Sequence, residues 1–291
     1  MVRPFDKLRT HHERLDSTGF ALKPATLIVV QARTNSTRLP GKVLKEVCGK
    51  PILERQLERL ARVKTAARIV VATTSDATDE SIALLCRRLA VDVFRGHPTD
   101  LLDRHYRAAL AFGADAVAKI PSDCPLIDPA VVDRVLARFA VGDCDYVGNL
   151  HPASYPDGND VEVMSLEALA TAWREAQLAM EREHTTPYLW ERPERFRLAN
   201  VSWEAGAEGT LRDYSMSHRW TIDYPEDYEF IRCVYEALYP QNPEFSMGDI
   251  LDLLAVRPDL AAINARYAGV NWYRHHLHEL KTVDARHTRQ V

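Results

Sequence analysis

No stretch of this sequence approaches 18 consecutive apolar residues, so it is read as containing no membrane-spanning helix. Cysteine is scarce and scattered. Cys48, Cys86, Cys124, Cys144 and Cys233 are odd in number and contain no C-x-x-C pair. That argues against a disulfide framework or a cysteine zinc site and favours a reducing compartment, so a cytoplasmic setting is expected. Surplus positive charge is missing as well. The formal net charge is -4 and the pI about 6.3, which leaves no global basic field for nucleic acid. Any anion must be gripped by a local cluster. The opening segment MVRPFDKLRTHHERLDSTGF lacks the apolar centre of a secretory signal. Repeats, low-complexity tracts and an evident linker are absent, and so is a G-x-G-x-x-G fingerprint. A Walker A loop is excluded because Ser36 stands where glycine is required and Val43 where Ser or Thr is required.

What is present reads as an ordinary folded chain. Its 291 residues are 46% hydrophobic and 27% charged, enough for one large α/β domain. Residues 1–25 read as a polar N-terminal extension, and 26–291 as a single domain. TLIVV (26–30), ARIVVATT (67–74), VDVF (91–94) and DAVAKI (115–120) are short apolar runs of the kind found in strands covered on both faces. Helical patterns separate them: PILERQLERLARV, ESIALLCRRLA, and LLDRHYRAALAF closed by Gly113. This alternation predicts a mostly parallel, Rossmann-like sheet flanked by helices. DYVGN (145–149) and the segment after YPDGND add strands, helices are expected over 165–191, and FRLANVSW reads as an antiparallel edge strand. RWTIDYPEDYEF reads as strand into helix across Asp223. SMGD (246–249) fits a capping box opening a helical C-terminal tail. Residues about 150–215 read as an inserted lobe facing substrate or a partner.

Ligands of such sheets sit beyond the carboxyl ends of the strands. The loops 31–42, 73–79 and 121–128 therefore converge on one edge. The first, QARTNSTRLPGK, places Arg33, Arg38 and Lys42 among the hydroxyls of Ser36 and Thr37, with Gly41 allowing close backbone approach. Two guanidinium forks, a compact ammonium and hydroxyl donors suit polyphosphate. The competing reading is a solvated basic turn, and the placement at the ligand edge weighs against it. Asp123 and Asp223 each follow an apolar run. Two strand-end carboxylates suit Mg²⁺, which takes one or two carboxylates and fills its other positions with phosphate and water. The alternatives are a turn cap for Asp123 and a helix N-cap for Asp223.

QARTNSTRLPGK also resembles the signature of the cytidylyltransferases that activate sugar acids, the acylneuraminate and 3-deoxy-manno-octulosonate cytidylyltransferases. The likeness is greatest to the branch of spore-coat polysaccharide biosynthesis proteins. It extends through KIPSDCPLIDP (119–129), YPDGNDVEV (155–163), REHTTPYLWERPERF (182–196) and RWTIDYPEDYEF (219–230). The resemblance implies a nucleotidyltransferase fold and transfer of CMP from CTP to a sugar or sugar-acid acceptor for surface glycans, with release of pyrophosphate. It places CTP at Gln31, Ala32, Arg33, Ser36, Arg38, Lys42 and Ser122, with Thr73, Thr74 and Ser75 near the base. Mg²⁺ falls on Asp123 and Asp223, and catalysis on Arg33, Lys42, Asp123 and Asp223. Asp157, Asp160, Glu162, Arg182 and His184 become acceptor-binding candidates, each with a structural alternative as a turn cap, an ion pair or a packed histidine. Pro121-Ser122 departs from the Thr-Gly or Gln-Gly common in relatives. A homodimer through the inserted lobe is implied as well.

Other readings stay open: another base, a non-sugar acceptor such as a phosphonate, a nucleotide-sugar-dependent glycosyltransferase, or a catalytically silent binding subunit. Three features read as decoys. Asp143-Cys144-Asp145 precedes a strand and reads as a turn; Cys124 reads as packing; HHLHEL (275–280) reads as an exposed helix face. Arg95, Asp100, Asp103 and Arg104 lie on the expected cleft rim, with an Asp–Arg lattice holding that loop as the alternative.

Overall fold

Seven strands form the central sheet: β1 Thr26–Gln31, β2 Arg68–Thr74, β3 Asp92–Gly96, β4 Ala116–Pro121, β5 Tyr146–Gly148, β6 Glu162–Ser165 and β7 Leu198–Asn200. The structure is a computed structural model that describes residues 25–205 and 210–289. Apart from Ala25, the N-terminal extension lies outside the described residues. The strands lie in the order β3-β2-β1-β4-β6-β5-β7. The first four are mutually parallel. β6 runs antiparallel to both β4 and β5, so the expected mostly parallel α/β sheet is present. The segment 150–215 supplies β6 to the interior of this sheet and β7 to its edge. FRLANVSW does form the edge, but β7 pairs parallel with β5 rather than antiparallel.

Alternation along β1 explains the two layers. Ile28 and Val30 face a core shared with Leu53, Leu57 and Leu60 of α1 (Ile52–Leu60), Ile82 and Leu85 of α2 (Glu80–Arg88) and Val131 and Val135 of α4 (Pro129–Phe139). Leu27 and Val29 face the opposite layer, with Leu102 and Ala109 of α3 (Leu101–Phe112) and Leu169 of α5 (Leu166–Glu175). The helical stretch expected over 165–191 is broken into α5, α6 (Ala179–His184) and α7 (Pro187–Trp190). Thr185 between α6 and α7 has φ 73, a left-handed conformation that ends α6.

A third apolar cluster lies under α8 (Pro225–Leu238) and α9 (Met247–Val256) and contains Trp220, Phe230, Tyr235 and Phe245. Ser246 and Asp249 form the expected capping box of α9. RWTI forms no strand. It makes an isolated parallel bridge between Arg219 and Asp157. No helix among the described residues is long and apolar enough to cross a membrane.

Register sets the site. Gln31 of β1 lies opposite Pro121 of β4, so the loops after these strands emerge side by side at the carboxyl edge. Gly41, at φ 67, turns the first loop so that Lys42 points inward. Gly158 is required for a different reason. Its φ is 110, and a Cβ there would come 2.7 Å from the Trp220 carbonyl carbon. The 156–160 loop therefore lies directly on the backbone before Asp223.

Candidate active site

Asp123 and Asp223 are 100 positions apart, yet they share one ammonium. Lys42 Nζ donates to Asp123 Oδ2 at 3.1 Å, to Asp223 Oδ1 at 2.9 Å and to the Ile222 carbonyl at 2.6 Å. Two backbone links tie the carboxylate-bearing segments together: the Ile222 N–H donates to the Asp123 carbonyl at 2.9 Å, and the Thr221 hydroxyl to the same oxygen at 3.1 Å. Burial opposes charging Lys42, but the two carboxylates outweigh it and raise its pKa. Burial likewise opposes ionisation of Asp223, and Lys42, Arg38 and Arg219 hold its carboxyl far below the usual range. Both groups are therefore charged near neutral pH.

The N-cap alternative for Asp223 is not what forms. Asp227 accepts the N–H groups of Asp223 and Tyr224 at 2.9 and 3.0 Å, which leaves the Asp223 carboxylate facing the site. Arg38 Nη2 meets Asp223 Oδ1 at 2.7 Å. The 3%-exposed Arg219 donates to Asp227 (Nε to Oδ1, 2.9 Å), Asp223 (3.1 Å) and Asp157 (3.3 Å).

These groups open into a cavity of about 1140 Å³. Gln31, Ala32, Arg33, Ser36, Arg38, Lys42, Ser122, Asp123 and Asp223 all line it, in line with expectation. Within the loop the cations divide by role. Lys42 has its donors engaged, whereas the exposed Arg33 makes no hydrogen bond or ion pair among the described residues. Asp157, Asp160, Glu162 and His184 line the cavity as well. Burial and repulsion from Asp160 push Asp157 well up despite Arg219. Burial, with the Asp123 and Glu162 charges, lifts Asp160 to about 6 against the Gly158 N–H that holds it. Glu162 takes the Lys119 ammonium at 2.5 Å and the Tyr146 hydroxyl at 2.7 Å, a cross-strand pair dictated by the β4–β6 register.

Four expected residues lie elsewhere. Thr73, Thr74 and Ser75 are absent from the cavity lining. The Thr74 hydroxyl is bound to Asp79 at 2.5 Å and the Ser75 N–H to the Gly96 carbonyl at 2.9 Å. Asp79 also takes the Thr34 hydroxyl at 2.6 Å, so the 73–79 turn buttresses the cationic loop from behind. Arg182 is absent from the lining as well. Its guanidinium forks onto Asp100 at 2.8 and 2.5 Å and reaches the Trp173 carbonyl. Asp100 caps α3, Asp103 holds Arg107, and Arg95 holds Glu80. The Asp–Arg lattice is therefore the correct reading of that rim, although Arg104 reaches the cavity wall.

The decoys divide the same way. Asp143 pairs with Arg138, and Asp145 with Arg197. Cys124 is buried and its thiol pushed well up by burial. HHLHEL, however, is not an exposed helix: His275 ends a 3-10 turn, and both His275 and His276 line the cavity. Three contributions went unread in the sequence: Lys119 under Glu162, Arg219 among three carboxylates, and the wall of residues 270–287. A lysine inside the apolar run DAVAKI was a usable signal, because a buried ammonium needs a carboxylate partner.

The donor set fits Mg²⁺. Two convergent carboxylates at a cationic cleft match an ion that completes its shell with phosphate and water. No group of three or more His, Cys, Asp or Glu side chains among the described residues is placed to hold a metal, so the residues do not fit an ion that needs a cage built wholly from protein.

Comparison with known proteins decides the family. A cytidylyltransferase family model matches residues 27–244. The chain belongs to the cytidylyltransferase family. Its relatives include the spore coat polysaccharide biosynthesis protein SpsF of Bacillus subtilis, 30% identical over 81% of this cytidylyltransferase and 96% of that protein. A 3-deoxy-manno-octulosonate cytidylyltransferase of Geobacter sulfurreducens is 34% identical over 42% of this chain and 48% of its own length. Among solved structures, a cytidylyltransferase from Leptospira borgpetersenii superposes with a TM-score of 0.74 at 30% identity, over 82% of this chain and 97% of that one. As a member of the family, this cytidylyltransferase is a CTP-dependent nucleotidyltransferase. The wall at 270–287 lies beyond the family match.

Proposed function

We propose that this cytidylyltransferase transfers CMP from CTP to a sugar-acid acceptor, with Mg²⁺ and with release of pyrophosphate, in the assembly of a surface glycan. The observation that carries the reading is the pair of carboxylates, Asp123 and Asp223, facing one ammonium at the mouth of a cavity lined by the cationic loop. The names of the relatives, one concerned with spore-coat polysaccharide and one with 3-deoxy-manno-octulosonate, support the acceptor class.

In this reading the exposed Arg33, which has no partner among the described residues, takes triphosphate oxygens together with Arg38 and the Ser36 hydroxyl. Lys42 orients Asp123 and Asp223 and keeps Asp223 ionised, and its charge lies beside the α-phosphate. Asp157 and Asp160 accept hydroxyl hydrogen bonds from the acceptor. An acceptor hydroxyl releases its proton to water, its oxygen bonds to the α-phosphorus, and the bond from the α-phosphorus to the α–β bridging oxygen breaks, so that pyrophosphate leaves with that oxygen. Such transfers depend on positioning and charge neutralisation rather than on a protein nucleophile. When bound at Asp123 and Asp223, Mg²⁺ would polarise the α-phosphate and offset the charge on departing pyrophosphate.

The test is pyrophosphate release from CTP with 3-deoxy-manno-octulosonate or N-acetylneuraminate as acceptor. Release is expected to need the acceptor and to stop on chelation with EDTA, returning with added Mg²⁺. Acceptor-independent hydrolysis, or release untouched by the chelator, contradicts the proposal.

A further inference from the structure

The C-terminal segment forms a wall of the active-site cavity from residues that the family match does not reach. That match ends at 244, whereas Asn271, Trp272, Tyr273, His275, His276 and His287 line the cavity together with Arg33, Asp123 and Asp160. The segment is pinned at both ends. Near its start, Arg219 Nη1 donates to the Val270 carbonyl at 3.2 Å. This is the same guanidinium that orders Asp157 and Asp223. Further along, the Lys281 and Thr282 N–H groups donate to Glu191 at 2.6 and 2.9 Å, and Leu280 and Val283 are buried against the α7 layer. Asn271 Nδ2 ties the two limbs together through the His287 carbonyl at 2.9 Å. These contacts are those of an ordered strap, docked across the cavity.

What the strap presents to the cavity is largely aromatic, with Arg286 as its charged group, paired to Asp284. Trp272 stacks on His184 with ring centroids 3.7 Å apart and planes 16° apart. His276 meets the same histidine edge-on at 6.1 Å. Across the cavity His151 stacks on Trp190 at 4.1 Å. Burial is the main force pushing the imidazole of His184 down to about 3 and that of His151 to about 4, so both rings are neutral. Two cations on this side of the cavity are engaged, Lys119 by Glu162 and Arg286 by Asp284, which leaves Arg33 of the cationic loop as the cation without a partner among the described residues of the lining. A carboxylate or phosphate pressed against the strap would lose water and meet cations that are already paired, whereas the loop side of the cavity offers it Arg33. A hydroxyl-bearing ring or chain meets flat apolar faces with neutral donors and acceptors between them, as small-molecule sites require.

We propose that the strap of residues 270–287 is an acceptor-selecting wall that binds the neutral, hydroxyl-bearing part of the acceptor, with Trp272 as its platform. The acidic end of that acceptor then faces the cationic loop and the Asp123–Asp223 pair. This inference rests on the sugar-acid reading above and adds which part of the chain reads the sugar.

The experiment compares wild type, Trp272→Ala and Trp272→Phe in pyrophosphate release, with 3-deoxy-manno-octulosonate and N-acetylneuraminate as probes and CTP stabilisation in thermal unfolding as the control. Trp272→Ala is expected to raise the acceptor KM about tenfold while the CTP KM stays within about twofold. Trp272→Phe, which keeps an aromatic face, should recover most of the loss. An unchanged acceptor KM in Trp272→Ala overturns the inference and leaves the sugar-acid reading standing. Parallel rises in both KM values also overturn it, because they mark the strap as a support of the fold only. If wild type is stabilised by CTP yet turns over neither acid, the acceptor reading falls, and this inference falls with it.

Discussion

Asp123→Asn and Asp223→Asn should each lower turnover on the order of 10³-fold, with little change in the unfolding midpoint. Asparagine keeps the shape and much of the hydrogen bonding of either side chain but removes its charge. The fold should tolerate this. Lys42 keeps the Ile222 carbonyl and the remaining aspartate in either variant, and the α8 cap is served by Asp227. The loss falls on chemistry because each carboxylate is one half of the proposed Mg²⁺ site. The check is pyrophosphate release at saturating CTP beside thermal unfolding of the same preparations. Wild-type turnover in both variants would refute the carboxylate assignment.

Arg219→Met should be the most destabilising single change at the site, by about 3–5 kcal/mol. The guanidinium is almost wholly buried, and it neutralises Asp227, which has no exposed surface, as well as Asp157 and Asp223. Removing it leaves Asp227 and Asp157 without their cation, while Asp223 keeps Lys42 and Arg38, and it frees the Val270 carbonyl that anchors the strap. Methionine fills similar volume, so the cost reflects lost charge pairing rather than a cavity. Urea unfolding monitored by circular dichroism measures it. A change below about 1 kcal/mol, the size of a surface pair, would mean that the lattice is not the support described.

Local patterns made the sheet legible. β1, β2 and β4 are continuous apolar runs because both faces are covered, and a run of that kind between helical patterns has few other outcomes. The cationic loop was legible for the same reason: it follows the first buried strand, and parallel sheets place such loops at the ligand edge. Asp223 was found in the sequence, but its role was not decided there. Whether a carboxylate caps a helix or faces a cleft depends on Asp227, four positions on, taking the cap instead.

The residues that escaped sequence reading depend on contacts between distant segments. RWTI has the composition of a strand, yet it is held as a single bridge on the Gly158 loop. Thr73, Thr74 and Ser75 occupy a strand end at the correct edge, but Asp79 draws Thr74 inward and makes the turn a buttress. The strap carries no periodic pattern. Its contribution comes from Trp272 meeting His184, 88 positions earlier, and from Glu191 and Arg219 holding its limbs.

The most direct test of the whole account is thermal unfolding of the protein with CTP, UTP, ATP and GTP, each with and without Mg²⁺. At a ligand concentration about 100-fold above Kd, stabilisation should reach ~2.7 kcal/mol, a rise of roughly 5 °C or more for a domain of this size. That rise is expected for CTP with Mg²⁺, a smaller one for CTP alone, and little for the other three. Equal stabilisation by all four nucleotides, or none by CTP, would contradict it.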